Sequence, residues 1–348
     1  MNLARTLPFW TSFGANFIWS KLTGRGQPFL VQLNVTNRCN YHCAYCYGRY
    51  FERERKDMFL ADVKGVLSAL AAKGAFRINL VGGEPLMHPD IGDIIDHAND
   101  LGMSTAMTTN GALAPTRMDV LVKLGTVCFS LDGLAKNNDL GRAPGSHDKA
   151  IRGLETCKAA GVAVQLSAVL TKHTTNDVDY MVEIAKRYEC CVGFTPLISQ
   201  EREGRRTEHR LHPSREDLTQ ALSRIIELKR AGAPILFSER AYAHCRDWPC
   251  PDTDVLPGGL GGVASIPCLA GAYFCLVDAN MDLYPCPQLI GRFKAKNILT
   301  DGLDACLEHA ARHSCKACSI PCSNDFSLFF GLSPAVVLDQ LGRLWRGL

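Results

Sequence analysis

The sequence has little excess of either charge and no long block of basic residues. Its 348 residues carry a formal net charge of +3, and charged residues make up 21% of the chain. Proteins that bind nucleic acid usually show a basic patch or stripe. The composition therefore gives no indication of nucleic-acid binding and leaves small-molecule and peptide chemistry open.

Long apolar runs and a cleavable signal peptide are also missing. No apolar stretch reaches the roughly 18 to 20 residues that span a bilayer. The N-terminal segment lacks the ordered charged, apolar and small-residue regions of a secretory signal, so we expect a cytoplasmic protein. Aromatic residues are frequent in LPFWTSFGANFIWSKL and in FSLFFGLSPAVVLDQLGRLW. We expect these segments to pack onto the main domain, with peripheral membrane contact as the less favoured alternative.

Cysteine is abundant, with 16 in the chain. In a reducing compartment, clustered cysteines indicate metal binding more often than disulfides. Cys39, Cys43 and Cys46 lie within eight residues, in VTNRCNYHCAYCYG. They could bind zinc with a fourth ligand, since His42 lies in the same loop, or hold three irons of a four-iron cluster and leave one iron open.

The patterning from Phe29 to about Ile198 alternates short apolar strands with amphipathic helices. Six strands are predicted: FLVQLNVT, FRINLVGG, MSTAMTTN, TVCFSLDG, VAVQLSAVL and CCVGFTPLI. Strand and helix units in series indicate a parallel sheet with helical crossovers. The cysteine loop, GGEP, TTNG and SLDG fall at the carboxyl ends of the first four strands, the edge on which (β/α) barrels build active sites.

The cysteine spacing, with Tyr45 just before the last cysteine and GGEP at residues 82–85, resembles the signature of the radical S-adenosylmethionine superfamily. The resemblance implies a partial (β/α)6, TIM-like barrel over residues 29–235. It implies that the triad holds a [4Fe-4S] cluster whose open iron binds S-adenosylmethionine. One electron then cleaves the cofactor to methionine and a 5′-deoxyadenosyl radical, which takes hydrogen from substrate. A reductase, flavodoxin or ferredoxin would supply the electron.

The same resemblance assigns roles at the ends of the first two strands. Gly82 and Gly83 let the backbone approach the methionyl group of the cofactor. Glu84 helps to hold its ammonium, and Tyr45 lies near the adenine.

TTNG and SLDG resemble strand ends in the branch that contains the molybdopterin cyclase and the sulfatase-maturing enzymes. Ser130 is a candidate ligand for the methionyl carboxylate or the ribose, and Thr108 or Asn110 is a candidate cofactor contact. Strand-end hydrogen bonding is the alternative for all three. Asp132 and Arg142 lie nearby, and Arg142 is either a surface residue or one that binds a carboxylate bidentately.

A second group of cysteines occupies residues 268–322. A Cys-x2-Cys pair with two upstream cysteines suffices for zinc or a second cluster. The segment resembles a SPASM or twitch extension, which implies one auxiliary [4Fe-4S] cluster held by four residues: Cys268, Cys286, Cys315 and Cys318. Cys275 or Cys322 could replace one of them. Met281 stands where a glycine is usual in the hairpin DANMDLYPC.

These observations predict four segments in an α/β protein. They are an N-terminal aromatic helical segment (1–28), a barrel (29–235), a cysteine-rich SPASM/twitch extension (236–330) and a C-terminal helix (331–348), with connectors in SQEREGRRTEHR and PDTDVLPGGLGGVASIP. We assign no role to the scattered cysteines: Cys128, Cys157, Cys190, Cys191, Cys245, Cys250 and Cys306.

The expected function is hydrogen abstraction from a substrate held between barrel and extension. The auxiliary cluster would assist electron transfer during oxidation, epimerisation or rearrangement. A small molecule such as a sugar or natural-product intermediate is preferred as substrate, a peptide is the alternative, and a lipid is a third option. A non-catalytic iron-sulfur or zinc protein is the alternative of another class.

Overall fold

The computed structural model describes residues 14–24, 26–198, 201–202, 205–206, 209–250, 255–257 and 266–345. Residues 1–13 of the predicted N-terminal segment, half of the first connector and most of the second lie outside the described residues. A helix (α1) spans residues 14–23. No described helix is both long enough and apolar enough to cross a bilayer.

The six predicted strands form a parallel sheet in chain order, which confirms the partial barrel. They are β1 (Leu30–Thr36), β2 (Arg77–Gly82), β3 (Ser104–Thr109), β4 (Thr126–Ser130), β5 (Val164–Leu170) and β6 (Cys191–Pro196).

Helices alternate with these strands, as the amphipathic patterns predict. They are α2 (Leu60–Ala72), α3 (Ile91–Asp100), α4 (Met118–Leu121), α5 (Ala135–Gly141), α6 (Ser146–Ala159) and α7 (Val178–Arg187), followed after β6 by α8 (Arg215–Arg230) and α9 (Glu239–Arg246).

The remaining elements are short strands and helices, most of them in the C-terminal region. Two pairs of strands, β7 with β8 and β9 with β13, form small ribbons. In chain order these elements are β7 (Glu201–Arg202), β8 (Arg205–Arg206), β9 (Val255–Pro257), β10 (Phe274–Val277), β11 (Asp282–Tyr284), β12 (Lys296–Asn297), α10 (Ile298–Asp301), α11 (Leu303–Ala311), β13 (Cys315–Cys318), α12 (Pro321–Phe330) and α13 (Pro334–Trp345).

One sheet joins the barrel to the C-terminal region. Its order is β12-β11-β10-β1-β2-β3-β4-β5-β6, and β10 pairs with β1 in parallel, with Leu30 opposite Phe274. The division at residue 235 stays a prediction, and the sheet runs across it.

The β10–β11 hairpin explains the missing glycine. Met281 has φ +67°, the left-handed conformation that a glycine adopts without strain. Its side chain is buried in the main core. Burial of a methionine side chain, about 1.5 to 3 kcal/mol, can offset the roughly 1 to 2 kcal/mol cost of that conformation.

Two cores stabilise the fold. The larger one lies between the outer face of the sheet and the helices, and it includes Leu33, Ile78 and Phe129. The smaller one surrounds the N-terminal ends of β1 and β10 and contains Phe29, Phe274 and Phe330 with five of the cysteines, Cys268, Cys286, Cys315, Cys318 and Cys322.

Replacing Phe330 with alanine should lower the free energy of unfolding by roughly 3 to 5 kcal/mol, the cost of deleting a fully buried aromatic ring. The Phe330 ring centroid lies 5.7 Å from that of Phe29 and 5.3 Å from that of Tyr273. Urea denaturation measures the loss. Phe326 lies on the same helix but is 36% exposed, so Phe326→Ala is the matched control, and an equal loss in both variants would contradict the assignment of Phe330 to the core.

Candidate active site

The cysteine triad lies in the loop that follows β1, and all three thiols are partly exposed. The backbone of this loop bonds to the end of β2: Gly83 N–H donates to Thr36 O and Glu84 N–H donates to Arg38 O, both at 2.8 Å. The loop is therefore positioned by the neighbouring strand and not by its own sequence alone.

The glycines of GGEP are required for this packing. A Cβ on Gly83 would lie 2.1 Å from Arg38 O, and one on Gly82 would lie 2.5 Å from Thr36 O. Gly82 also has φ +138°. The structure thus gives both glycines a role toward the cysteine loop, and their approach to the methionyl group stays a prediction.

Glu84 is 1% exposed and accepts three hydrogen bonds. Its Oε1 accepts from Thr109 Oγ1 at 2.7 Å and from Leu86 N at 3.2 Å, and its Oε2 accepts from Asn110 N at 2.8 Å. Burial raises the pKa of Glu84 to about 7, against the effect of these donors. The carboxylate therefore ties the end of β2 to the end of β3 and keeps one acceptor position on Oε2 for a further donor.

Asn110 connects the end of β3 to the cysteine loop. Its Nδ2 donates to Asn40 Oδ1 at 2.7 Å, and its Oδ1 accepts from Ala112 N at 3.0 Å. Asn40 was missed in the sequence, where a polar residue between two cysteines carries no distinguishing signal. The side chain of Asn110 thus has a structural role, and its contact with a cofactor stays a prediction.

A second buried carboxylate, Asp132, holds the other side of the loop. Arg142 binds it bidentately, with Nε to Oδ2 at 2.7 Å and Nη2 to Oδ1 at 2.8 Å. The Tyr45 hydroxyl donates to the same carboxylate, and Val169 N–H donates to Oδ1 at 2.9 Å. Of the two roles considered for Arg142, the structure shows the bidentate one, and its partner lies within the chain.

Tyr45 is buried between this ion pair and helix α5. Its ring centroid lies 5.6 Å from the Arg142 guanidinium carbon, and a Cβ on Gly141 would lie 2.6 Å from the ring. Ala44 N–H also donates to Gly141 O at 2.9 Å. The position of Tyr45 near an adenine stays a prediction.

Thr108 and Ser130 lie on the inner face of the barrel, and both are partly exposed. Thr108 Oγ1 accepts from Asn79 Nδ2 at 3.5 Å. Ser130 pairs in register with Ser167 of β5. They lie near the carboxyl ends of β3 and β4, and their contact with a cofactor stays a prediction.

The triad and its surroundings fit a polar, thiolate-bound group. Burial, with a smaller contribution from the neighbouring thiolates, raises the pKa of Cys39 to about 12 and that of Cys43 to about 11. A bound cationic metal group compensates such charges, and its binding releases the thiol protons. Three buried polar atoms beside the loop have no described partner: Asn34 Nδ2, Asn37 Oδ1 and Tyr41 OH.

The second cysteine group lies near the opposite end of β1. Cys268, Cys286 and Cys315 all act electrostatically on Cys318, which is buried, and burial raises the pKa of all four thiols. Since Phe29 precedes β1 and the triad follows it, the two groups are separated by the length of that strand, about 20 Å for seven residues.

The two alternative ligands differ in their surroundings. Cys275 belongs to the main core, and burial alone raises its pKa to about 12. Cys322 packs against the same smaller core as the four predicted thiols, and the electrostatic effects on it come from Ser323 and Asp325. The structure therefore places Cys275 apart from the four predicted thiols, and Cys322 as a substitute ligand stays a prediction.

Neither cysteine group is arranged for a single ion. Among the described residues, no three His, Cys, Asp or Glu side chains are close enough to hold one metal ion. Zinc requires ligand sulfurs about 2.3 Å from one atom, whereas the thiolates of a four-iron cluster each bind a different iron and stand farther apart.

Comparisons with known proteins agree with this geometry. Residues 33–187 match the family model of the Radical SAM superfamily. The chain is 30% identical over 288 residues to the mycofactocin maturase MftC of Mycobacterium ulcerans, which covers 80% of this chain and 74% of the relative. It is 32% identical over 160 residues to the Fe-coproporphyrin III synthase of Methanosarcina barkeri, covering 44% of this chain and 40% of that protein.

Solved structures share the fold at low sequence identity. Streptococcus suis SuiB bound to the precursor peptide SuiA has a TM-score of 0.64 and 16% identity, covering 85% of this chain and 68% of that one. The anSMEcpe structure with bound AdoMet and the Kp18Cys peptide has a TM-score of 0.61 and 14% identity, covering 88% and 98%.

Glu84→Gln should lower the free energy of unfolding by roughly 1 to 3 kcal/mol, because the amide nitrogen of glutamine cannot accept from the buried donors. Denaturant unfolding of the protein without S-adenosylmethionine measures this loss. Thr109→Val removes one of the same donors, so a double-mutant cycle should show coupling between the two sites. Unchanged stability of Glu84→Gln would show that the three hydrogen bonds contribute nothing to the fold.

Proposed function

Because the chain belongs to the radical S-adenosylmethionine superfamily, we propose that it is an enzyme that modifies a peptide. Enzymes of this superfamily use a [4Fe-4S] cluster and S-adenosylmethionine, which together supply a 5′-deoxyadenosyl radical. The observation that carries the proposal is the triad, held by the ends of β2, β3 and β4, in a chain 30% identical to a maturase over 288 residues.

The comparisons favour a peptide as the substrate, whereas the sequence alone favoured a small molecule. The mycofactocin maturase matches 80% of the chain. The solved structures of SuiB and anSMEcpe were determined with peptides bound.

In this proposal Cys39, Cys43 and Cys46 hold the cluster that binds the cofactor. The buried Asn34 Nδ2 and Tyr41 OH have no described partner and are available to a polar ligand. Glu84 and Asp132 fix the loop on its two sides and keep the thiols in place. The free acceptor position on Glu84 Oε2 is the place for the cofactor's ammonium.

Cys268, Cys286, Cys315 and Cys318 hold one auxiliary [4Fe-4S] cluster in the smaller core. Four thiols close such a cluster completely, so this site has no open iron for the cofactor. Aromatic side chains enclose it, among them Phe29 and Phe330. A dry, fully ligated cluster suits electron transfer to or from the substrate.

Replacing the whole triad with alanine should abolish release of 5′-deoxyadenosine, because the open iron would be lost. The assay is anaerobic reconstitution with S-adenosylmethionine and dithionite, followed by mass spectrometry. Iron content should fall by about four atoms per chain, the content of one cluster. Cys157→Ala, at a buried thiol outside both groups, is the control, and full release from the triad variant would refute the proposal.

The double variant Cys315→Ala, Cys318→Ala should contain about four irons fewer than the wild type, the content of one cluster. It should still form 5′-deoxyadenosine, because the triad is intact. Circular dichroism must show that the variant is folded, since a cluster can stabilise the region that binds it. Zinc in place of iron in the anaerobically purified wild-type protein would contradict the auxiliary assignment.

A further inference from the structure

The inner face of the barrel is polar and almost uncharged. The registers of the strands show which residues have side chains on this inner face, which is opposite to the main core. Its partly exposed members are mainly amides, hydroxyls and one thiol: Gln32, Asn79, Thr108, Cys128, Ser130, Gln165, Ser167 and Thr195. A TIM barrel normally fills this space with bulky aliphatic side chains, so here the space suits a polar guest.

Arg77 is the one charged residue in this set among the described positions of β1 to β6. It pairs with Leu30 and Ser104, and it alternates with Ile78 and Leu80, which are fully buried in the main core. Its side chain therefore points into the barrel. Its charge acts on the Cys128 thiol of β4, which lies on the same inner face two strands away.

No described carboxylate compensates this charge. Arg77 makes no side-chain hydrogen bond or ion pair with a described residue, and Cys128 is the one ionisable group that acts on it. Burial raises the pKa of Cys128 to about 12, so at neutral pH this thiol is uncharged. Burial also lowers the pKa of Arg77, the effect expected for a cation without a counter-ion.

Arg142 differs from Arg77 because it has a carboxylate partner. Both are largely buried arginines of the barrel, but Arg142 binds Asp132 with two hydrogen bonds. A buried charge without a partner is costly, and such a cost is usually met by a ligand or a partner group. A planar guanidinium with its donors free matches a carboxylate in particular.

We propose that Arg77 binds a carboxylate of the substrate inside the barrel, between the two cysteine groups. If the substrate is a peptide, as proposed above, the carboxylate is its C-terminus or an Asp or Glu side chain. Arg77 and Gly82 are five residues apart on β2, about 16 Å along the strand. The carboxylate and the reacting atom near the triad therefore belong to the same residue or to close neighbours.

The contact with a carboxylate can be tested without knowing the substrate. Sodium acetate should raise the melting temperature of the reconstituted protein by a few degrees more than acetamide at the same concentration and ionic strength, because a ligand of the folded state stabilises it. The difference should vanish in Arg77→Met, which keeps most of the apolar stem. Arg312→Met, at an exposed position, removes the same charge and should keep the difference.

An acetate effect equal to that of acetamide in the wild type, or one retained in Arg77→Met, would overturn the proposal. If Arg77→Met does not fold, Arg77→Lys is the second variant. It keeps the charge but loses the planar fork, and the acetate effect should then be reduced at least twofold.

The identity of the carboxylate is tested with four pools of N-acetylated hexapeptides, made as C-terminal acids or amides and with or without Asp and Glu. Release of 5′-deoxyadenosine above the peptide-free rate should occur only with pools that carry a carboxylate. Arg77→Met should raise the KM for an active acidic peptide at least tenfold. Stimulation by the terminal-acid pools alone identifies the C-terminus, and stimulation by the Asp and Glu pools alone identifies a side chain.

Equal stimulation by the neutral pool would refute the carboxylate site while leaving the peptide function intact. Stimulation by no pool would count against the peptide function, and the acetate measurement would still decide the role of Arg77.

Discussion

The loop that carries the cysteine triad depends on two buried carboxylates. On one side of the loop, Glu84 ties together the ends of β2 and β3, which bond to the loop. On the other side, Asp132 binds Tyr45 of the loop and Arg142. A loop with three thiols and no regular secondary structure would otherwise have many conformations, and a cluster would have to order it on binding. The two carboxylates reduce that entropic cost because their hydrogen bonds restrict the conformations of the loop.

Both carboxylates carry out this role in an environment that penalises charge. Burial raises the pKa of Glu84 to about 7, whereas Asp132 has a guanidinium bound bidentately. The side facing the GGEP turn is thus the one where a further cation would be most favourable. A cofactor ammonium near Glu84 would balance the charge of that carboxylate, as Arg142 balances the charge of Asp132 on the opposite side.

Much of the fold and of the first site could be predicted from the sequence. The six strands were predicted within three residues at each end because apolar runs and closing glycines mark them, and the triad and GGEP are local patterns with a fixed spacing. Most partners of Glu84 and Asp132 could not be predicted, because Thr109, Asn110 and Val169 lie 25 or more residues away along the chain. For Arg142 the sequence offered a bidentate contact with a carboxylate, but it did not identify Asp132 as the partner. Arg77 was missed for a related reason: one arginine at the start of an apolar strand has no meaning until the register shows which face it occupies.

The substrate was the weakest part of the sequence-based interpretation. The sequence alone favoured a small molecule as the substrate. The similarity to a maturase over 288 residues favours the peptide alternative instead. The grouping of Cys268, Cys286, Cys315 and Cys318 could be predicted from the resemblance. The separation of Cys275 from that group required the structure, since β10 places it in the main core.

The pairing of β10 with β1 makes the C-terminal region part of the barrel's own sheet. Without β10, β1 would be an edge strand with a row of unsatisfied N–H and C=O groups, a surface prone to pair with other chains. The cysteine loop begins at the end of that same strand. The strand that leads into the first group of thiols is therefore an interior strand, because the region that bears the second group pairs with its outer edge.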